Sequence, residues 1–431
     1  MIKTLCIGIA GLGTVGSGLV EMLQKNQDDI LRRTGCKIVV KAIAIRDLSK
    51  KRAVPEGIRL IDTPLDLAED PEIDVVVELI GGTALARKLI LSAIEHGKSV
   101  VTANKALLAE YGREVFGLAH RKNAAVGYEA SVAGAIPVIQ TLKNSLAGNH
   151  ISSVIGILNG TSNYILSEMS SRGFDFPVAL AAAQKMGYAE ADPSLDIDGF
   201  DAAHKLTLLI RLAWGVHYPF SSLFVQGIRN ISSFDMQLAR EFGYQIKLIG
   251  KAEEVGGKIK AGVYPALVKE SMLLARVDGA YNAISIKGNA SGPLFLHGLG
   301  AGKLPTASSV LGDLLALAKR HQQNSADDNT GFANALLDAV ILPEDDAVNE
   351  WYVRATVRDN PGVLRDIASV FAQEGISFAQ LIQKEKQDDK VALVFMTHET
   401  TTSAIRTATQ QLEHNGTLVT PATCYRILSS E

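Results

Sequence analysis

The chain has 431 residues, 47% hydrophobic and 21% charged, with a net charge of -3. That length suggests two or three domains, and the balance is that of an ordinary soluble globular protein with no basic excess to point to nucleic acid. Its three cysteines, Cys6, Cys36 and Cys424, are widely spaced; they argue against a disulfide framework or a cysteine metal site and fit a reducing, cytoplasmic setting.

Residues 4–10 read as a buried parallel strand running into Gly11-Leu-Gly13-Thr-Val-Gly16, where a helix opens near Thr14. The apolar start is too short to span a membrane, and no other segment reads as transmembrane. Further strands are predicted at Lys37–Ile45, Ile73–Val77, Ser99–Thr102 and Ala125–Tyr128, with helical patterns between them at Ala84–His96 and Leu107–Lys122. Alternating strands and helices with continuous apolar strands predict a doubly wound parallel sheet of the Rossmann type, an α/β fold. Ligands of such sheets sit beyond the carboxyl ends of the strands, where Arg46, Glu78, Lys105 and Glu129 fall. After about Ile136 the pattern changes to α+β. A strand at Ser153–Leu158, helices near 163–172, 177–187 and 199–214, and strand-like runs at Gln245–Ala252, Lys258–Pro265 and Ala280–Gly288 are expected. Thr306–Arg320 reads as a helix returning to the first domain, and Gln322–Thr330 as a polar, mobile stretch. The remainder reads βαββαβ, a ferredoxin-like module, with a turn at Asp359-Asn360-Pro361-Gly362. The domains are therefore placed at 1–135 (with the return helix at about 305–320), 136–304 and 350–431, with a linker at 321–349.

The glycine fingerprint has the strand-then-helix context that dinucleotide binding needs. Gly11 permits the tight turn, Gly13 lets the backbone approach a pyrophosphate, and Gly16 allows close packing of helix on strand. The amides of Leu12, Thr14 and Val15 then face the anion. Where NAD enzymes end the second strand with an acid, this chain has Arg46, then Asp47, Lys50, Lys51 and Arg52. A cation there accommodates a 2′-phosphate, so NADP is favoured, with NAD also possible; an ordinary solvated basic turn would leave the choice open. Lys105 opens a helix beside the expected nicotinamide site.

Five carboxylates, Glu190, Asp192, Asp196, Asp198 and Asp201, lie within twelve residues of one another and are followed by Lys205. Ala202, Leu206, Leu209, Ile210 and Ala213 form an apolar stripe, and Asp201 and Lys205, four apart, share a helix face. Acids that hold an ammonium group, one turn from a lysine that moves a proton, suit an amino-acid enzyme. The plainer alternative is a solvated acidic loop with Asp198 capping an amphipathic helix. The segment Glu129–Ile136 offers one carboxylate and accessible carbonyls, which suits a hard cation or simply a tightly packed hinge.

Together GLGTVG (11–16), TANKALLA (102–109), YEASVAGAIP (128–137), GILNGTSNYIL (156–166), GYAEADPSLDIDGFDAAHK (187–205) and GAGKLPTASSVLGDL (300–314) resemble the homoserine dehydrogenase family over essentially the whole chain. The C-terminal module, with DNPGVL (359–364), resembles an ACT domain. The resemblance implies that Lys205 is the general acid/base and that Lys105 lies between substrate and nicotinamide. It implies that Glu190, Asp196 and Asp201 hold the substrate, that Gly187 and Gly302 lie against the cofactor, and that Glu129 with the carbonyls of Val132, Gly134 and Ile136 binds a monovalent cation such as sodium.

The implied reaction interconverts L-aspartate 4-semialdehyde and L-homoserine in the route to threonine and methionine. Lys205 would protonate the developing alkoxide on reduction. A free lysine titrates near about 10.4, so alkaline pH should favour homoserine oxidation. Another amino-acid dehydrogenase, acting for instance on aspartate, and a non-enzymatic nucleotide and amino-acid sensor are the alternatives; the Lys205 region, a proton donor for a hydroxyl/aldehyde couple, argues against the first, and Lys105, Lys205 and the acid cluster argue against the second. Threonine is the expected effector of the ACT module and a homo-oligomer, dimer or tetramer, the expected assembly. Because every candidate catalytic residue precedes Arg320, a chain cut near Pro343 is expected to stay active and lose effector control.

Overall fold

The structure, a computed structural model, describes residues 3–49, 52, 54–323, 331–332, 336–384, 389–428 and 430. Most of the polar stretch expected to be mobile, 324–330, lies outside them. The chain forms two compact units that follow packing rather than chain order: Met1–Thr161 with Phe200–Leu223 and Ala280–Ala339, and Ser162–Gly199 with Phe224–Gly279 and Val340–Glu431. Among the described residues no helix is long and apolar enough to cross a membrane.

In the first unit β1 (Lys3–Ala10), β2 (Cys36–Ala44), β3 (Arg59–Ile61), β4 (Val75–Glu78), β5 (Ser99–Thr102) and β6 (Val126–Gly127) form a parallel sheet in the order β3-β2-β1-β4-β5-β6. All four residues of β4 are buried, as expected for a central strand covered on both faces. The order reverses between β1 and β4, so the crevice for a ligand opens there. The return helix spans Lys303–Gln323. It lies so close to the helix Thr14–Lys25 that a Cβ on Gly18 would meet the Lys303 carbonyl at 2.8 Å. Ala307, Val310, Leu311 and Leu314 from it join Ile7, Ile9, Leu19 and Ile43 in one core, each large side chain contributing about 1.5–3 kcal/mol on burial. The same unit holds three antiparallel strands, Ile151–Ile157, Tyr281–Gly288 and Gly292–Leu299. The last was not foreseen, because its Gly-Pro start and terminal glycines break the alternation that marks a strand.

The helix Phe200–Trp214 departs from the amphipathic expectation. Every residue from Asp201 to Ala213 is buried, including Asp201, His204, Lys205 and Arg211. Asp198 does not cap it. Gly199, at φ +89°, intervenes, and the Asp198 carboxylate is bound by the Arg229 guanidinium, which holds it below the usual carboxylate range. Arg211 fastens the buried helix to the helix Lys105–Lys122. Its guanidinium donates to the Leu108 carbonyl at 3.2 Å and stands 5.1 Å from the Phe116 ring centroid. A Cβ on Gly112 would meet that guanidinium at 2.3 Å.

In the second unit Tyr244–Val255 and Lys258–Lys269 pair as a hairpin across Gly256-Gly257. Both glycines have positive φ, as a tight two-residue turn requires. The C-terminal module has the strand order Leu418–Leu428, Val348–Arg358, Lys390–Thr397, Phe378–Gln383, with helices Val363–Gln373 and Thr402–His414. This is the expected βαββαβ chain order. Its strand Leu418–Leu428 also pairs in parallel with the hairpin, residues 266–268 against 426–428, so one sheet runs through both. A helix unforeseen from the sequence, Ser233–Glu241, carries Asp235. That carboxylate is wholly buried and receives the Tyr352 hydroxyl at 3.0 Å and the Arg354 guanidinium at 2.6 and 3.1 Å, both from the module's first strand. A cut near Pro343 would bare the hairpin edge and leave Asp235 without its cation. The expectation of an intact, merely unregulated enzyme is therefore revised: the truncated chain should be poorly stable.

Candidate active site

The glycine loop has the geometry its residues imply. Gly11 sits at φ +103° with its α-carbon against the chain, since a Cβ there would lie 2.6 Å from the Leu79 carbonyl oxygen. A Cβ on Gly16 would lie 2.1 Å from the Gly11 carbonyl oxygen, while one on Gly13 would meet nothing within 4 Å. Two glycines are thus required by packing, and Gly13 alone faces open space where a pyrophosphate can approach. Thr14 and Val15 open the helix that follows. Arg46 is exposed just beyond β2. Asp47 accepts from the backbone amide and hydroxyl of Ser49 at 2.9 and 2.6 Å, so it serves a local turn. The Arg52 guanidinium donates to the Leu12 carbonyl at 2.9 Å, bringing a second cation to the glycine loop. Lys50 and Lys51 lie outside the described residues. Glu78, at the end of β4, accepts from the amides of Ile80 and Gly81 and from the Thr102 hydroxyl at 2.6 Å. It organises the turn beside the crevice, and burial raises its pKa.

Lys105, Asp201 and Lys205 converge. The Lys205 ammonium donates to Asp201 Oδ2 and to the Leu158 carbonyl, both at 2.7 Å. Lys105 Nζ stands 3.1 Å from Asp201 Oδ1, and Asn159 Nδ2 donates to Asp201 Oδ2 at 2.8 Å. Burial opposes ionisation of Asp201, yet the Lys205 and Lys105 charges and the hydrogen bonds outweigh it and hold the carboxyl well below its usual range. An ammonium has three N–H groups. With two fixed by Leu158 and Asp201, Lys205 has one direction left in which to give or take a proton. His204, buried and stacked on Phe220 with centroids 4.5 Å apart, has its pKa lowered by burial.

Gly187, Glu190 and Asp196 belong to the second unit. Gly187 has φ +75° at a helix end. Glu190 is exposed, Asp196 half-buried. Asp192 binds Ser194, and Asp198 binds Arg229, so two of the five clustered acids shape the loop. Gly302, at φ +132°, precedes the return helix in the first unit. Sequence reasoning gave no role to Asn159 or Asn282. The available signal was an amide in an otherwise apolar strand, as in Tyr281-Asn-Ala-Ile-Ser-Ile286, where burial demands a partner.

The candidate cation segment is buried. Glu129 accepts from the amides of Ile139 at 2.8 Å and Gln140 at 2.9 Å, and its own amide donates to Asp313 at 2.9 Å. Burial pushes the Glu129 carboxyl up to about 7, and burial with the Glu129 charge pushes Asp313 up to about 8. Ala133 and Gly134 both have positive φ, a conformation that costs a non-glycine residue energy. The Gly134 carbonyl accepts the Ser309 hydroxyl at 2.6 Å and the Ile136 carbonyl the Val138 amide at 2.8 Å. Each keeps a second lone pair, and Val132 is wholly buried beside them. An all-oxygen set next to two buried carboxyls fits a hard monovalent cation, whose charge would offset theirs. Among the described residues no group of three or more His, Cys, Asp or Glu side chains is placed to hold a metal ion.

A switch-point crevice with a pyrophosphate turn, a buried lysine held by an acid, and a terminal ACT-type module together define an oxidoreductase built on a dinucleotide-binding domain. Three family models match the chain: the homoserine dehydrogenase NAD-binding domain over 11–129, the homoserine dehydrogenase family over 137–315, and the ACT domain over 351–414. The chain is 42% identical to the homoserine dehydrogenase of Neisseria gonorrhoeae, with 99% of each covered. The crystal structure of a homoserine dehydrogenase from Thiobacillus denitrificans superposes with a TM-score of 0.95 at 41% identity, covering 99% of both chains. A hyperthermophilic archaeal homoserine dehydrogenase in complex with NADPH matches at TM-score 0.63 and 27% identity over 75% of this chain and 99% of that one. On this evidence the chain belongs to the homoserine dehydrogenase family.

Proposed function

We propose that this enzyme reduces L-aspartate 4-semialdehyde to L-homoserine, and reverses that reaction at alkaline pH, with NADP preferred over NAD. The carrying observation is the Lys205 ammonium fixed by Leu158 and Asp201 with one N–H direction left over. Bound NADPH supplies the hydride. Lys205 gives its proton to the alkoxide oxygen as the aldehyde is reduced. Lys105, half-exposed at its helix start, orients the substrate beside the nicotinamide. Asp201 has both oxygens engaged by the protein's own cations, so it is assigned to orienting the two lysines. Glu190 and Asp196 then take the substrate ammonium group. Gly187 and Gly302 lie along the cofactor. A spectrophotometric assay of NADPH consumption with aspartate semialdehyde tests the reading. Activity with aspartate and not the semialdehyde would favour the other dehydrogenase, and no turnover with either would favour a sensor.

The exposed Arg46, with Arg52 at the glycine loop, supports a 2′-phosphate contact, and the archaeal relative's NADPH is consistent with it. Arg46→Ala should raise the NADPH KM roughly ten- to hundredfold, the value of one charged hydrogen bond, with NADH use unchanged or better. Unaltered NADPH/NADH selectivity would move the contact to Arg52 or to the neighbouring lysines, or remove it.

Sodium is the proposed cation at Glu129, Val132, Gly134 and Ile136. Sodium chloride should raise Tm above that in choline chloride of equal ionic strength. At a hundred times Kd the gain is about 2.7 kcal/mol, and Glu129→Ala should abolish it. Equal melting in both salts would remove the site.

Threonine is the proposed effector of the ACT module. Gly362, at φ +94°, immediately precedes the helix Val363–Gln373, whose opening amides suit a ligand carboxylate. The module's outer strand Phe378–Gln383 pairs, among described strands, only with Lys390–Thr397 and exposes Leu381 and Ile382. Such an edge suits a second copy of the chain, which supports a homo-oligomer, dimer or tetramer. Threonine titration at subsaturating substrate should lower the rate; no inhibition, with no binding by calorimetry, would leave the module a role in assembly alone.

A further inference from the structure

We infer that Asn282 is a positioning residue for Lys205 and that it couples this lysine to the glycine-rich turn at Gly300, an inference that rests on the proposed role of Lys205. Asn282 lies in the strand Tyr281–Gly288 and is wholly buried. Its Nδ2 donates at 3.0 Å to the Leu158 carbonyl, the oxygen that also accepts the Lys205 ammonium at 2.7 Å. A carbonyl only accepts, so the amide orientation is fixed: turned over, Asn282 would set two oxygens against each other. One carbonyl therefore carries two donors, and its direction is set by both. Leu158 follows the strand Ile151–Ile157, where regular pairing to Tyr281–Gly288 ends at Ile157 and Ala283. Past that point the strand holds Leu158 through the Asn282 side chain, which stands where the next ladder bond would fall.

The other end of the amide explains why a polar side chain sits in this core. Asn282 Oδ1 accepts no hydrogen bond from any described residue, although it is buried. It lies against Gly300, where a Cβ would come within 2.2–2.4 Å of the three terminal amide atoms. On its other side Gly300 meets Gly134, whose own Cβ would lie 2.5 Å from the Gly300 carbonyl carbon. Gly300 thus fills a slot between the candidate cation segment and the Asn282 amide. An orphaned buried acceptor normally costs about 1–3 kcal/mol, so an apolar side chain would serve packing better if packing were the only demand. The residue earns its place through the bond to Leu158. By that bond, any shift of the Gly300 turn moves the Asn282 amide, the Leu158 carbonyl and the proton on Lys205 together.

The test compares Asn282→Leu, which keeps the branched skeleton of the side chain and removes the donor, with Gly300→Ala, whose methyl displaces the amide. Both should lower kcat for semialdehyde reduction roughly 10- to 100-fold, the scale of a reacting group displaced by about an ångström. KM for both substrates should change less than threefold, and the solvent deuterium isotope effect on kcat should rise as proton transfer becomes slower. Asn282→Ala should make room for the Gly300→Ala methyl, so the double variant should be no slower than Asn282→Ala alone. Wild-type kcat and isotope effect in Asn282→Leu would overturn the inference. So would a loss confined to KM or Tm, or full additivity in the double variant. Should Asn282→Leu fail to fold, Gly300→Ala with wild-type kcat overturns it equally. A wild-type enzyme inert toward the semialdehyde, or an active Lys205→Met, would instead reject the parent reading.

Discussion

A Lys205→Met enzyme will turn over aspartate semialdehyde about 100- to 10,000-fold more slowly than the wild type, while NADPH binds with little change. Methionine keeps the length and apolar stem but cannot carry the proton. The ammonium it replaces is buried and joined to Leu158 and Asp201, remote in role from the glycine loop proposed to meet the cofactor. Asp201→Ala should resemble it in kcat, since Lys205 and Lys105 both lose the carboxylate that orients them. A variant of Lys205 with near wild-type kcat would remove the proton-transfer role. If Asp201→Ala raises only the substrate KM, the carboxylate would return to the ammonium-binding role that the resemblance implies.

Replacing Arg354 with methionine should cost about 3–5 kcal/mol of stability in the unit that carries the ACT module. Asp235 would remain buried with the Tyr352 and Ser232 hydroxyls but no cation. The penalty belongs to the uncompensated charge, so Asp235→Asn combined with Arg354→Met should be less damaging than Arg354→Met alone. Urea unfolding followed through Trp351, which is buried in the same strand, reports the loss where it arises. A single variant as stable as wild type would show that water reaches Asp235.

Five of the six strands of the parallel sheet were legible because they are largely apolar runs; the edge strand Arg59–Ile61 was not, being three residues long, opened by a charged residue and not buried. The glycine fingerprint was legible because local geometry alone demands Gly11 and Gly16. Burial of the Phe200–Trp214 helix was not. Its sequence shows an apolar stripe with Asp201, His204, Lys205 and Arg211 around it, and such residues read as solvated until their partners are known. Those partners, Leu108, Leu158 and Asn159, come from distant segments and act partly through backbone carbonyls, which leave no mark in a sequence. The helix Ser233–Glu241 was missed for a related reason: what fixes Asp235 is a strand more than a hundred residues later. Spacing alone reads the acid cluster as a set; the resemblance picks out Glu190, Asp196 and Asp201, and the bonds of Asp192 to Ser194 and Asp198 to Arg229 tie those two to the local structure.

The parallel pairing of residues 266–268 with 426–428 also imposes a timetable on synthesis. The hairpin Tyr244–Val255 and Lys258–Lys269 leaves the ribosome long before the strand that completes its edge, at about 5–20 residues per second. In that interval the edge of Gly262–Val268, buried in the finished protein, has Phe224–Val225 paired to it at Gly262 and Val263 but still lacks the strand that pairs with residues 266–268. An apolar edge waiting for its neighbour invites pairing with another nascent chain. Pro265, in the middle of the stretch, lacks an N–H and makes it a poorer template. Damage to the last strand should therefore show first as insoluble product in the cell, before any change in the activity of the molecules that do fold.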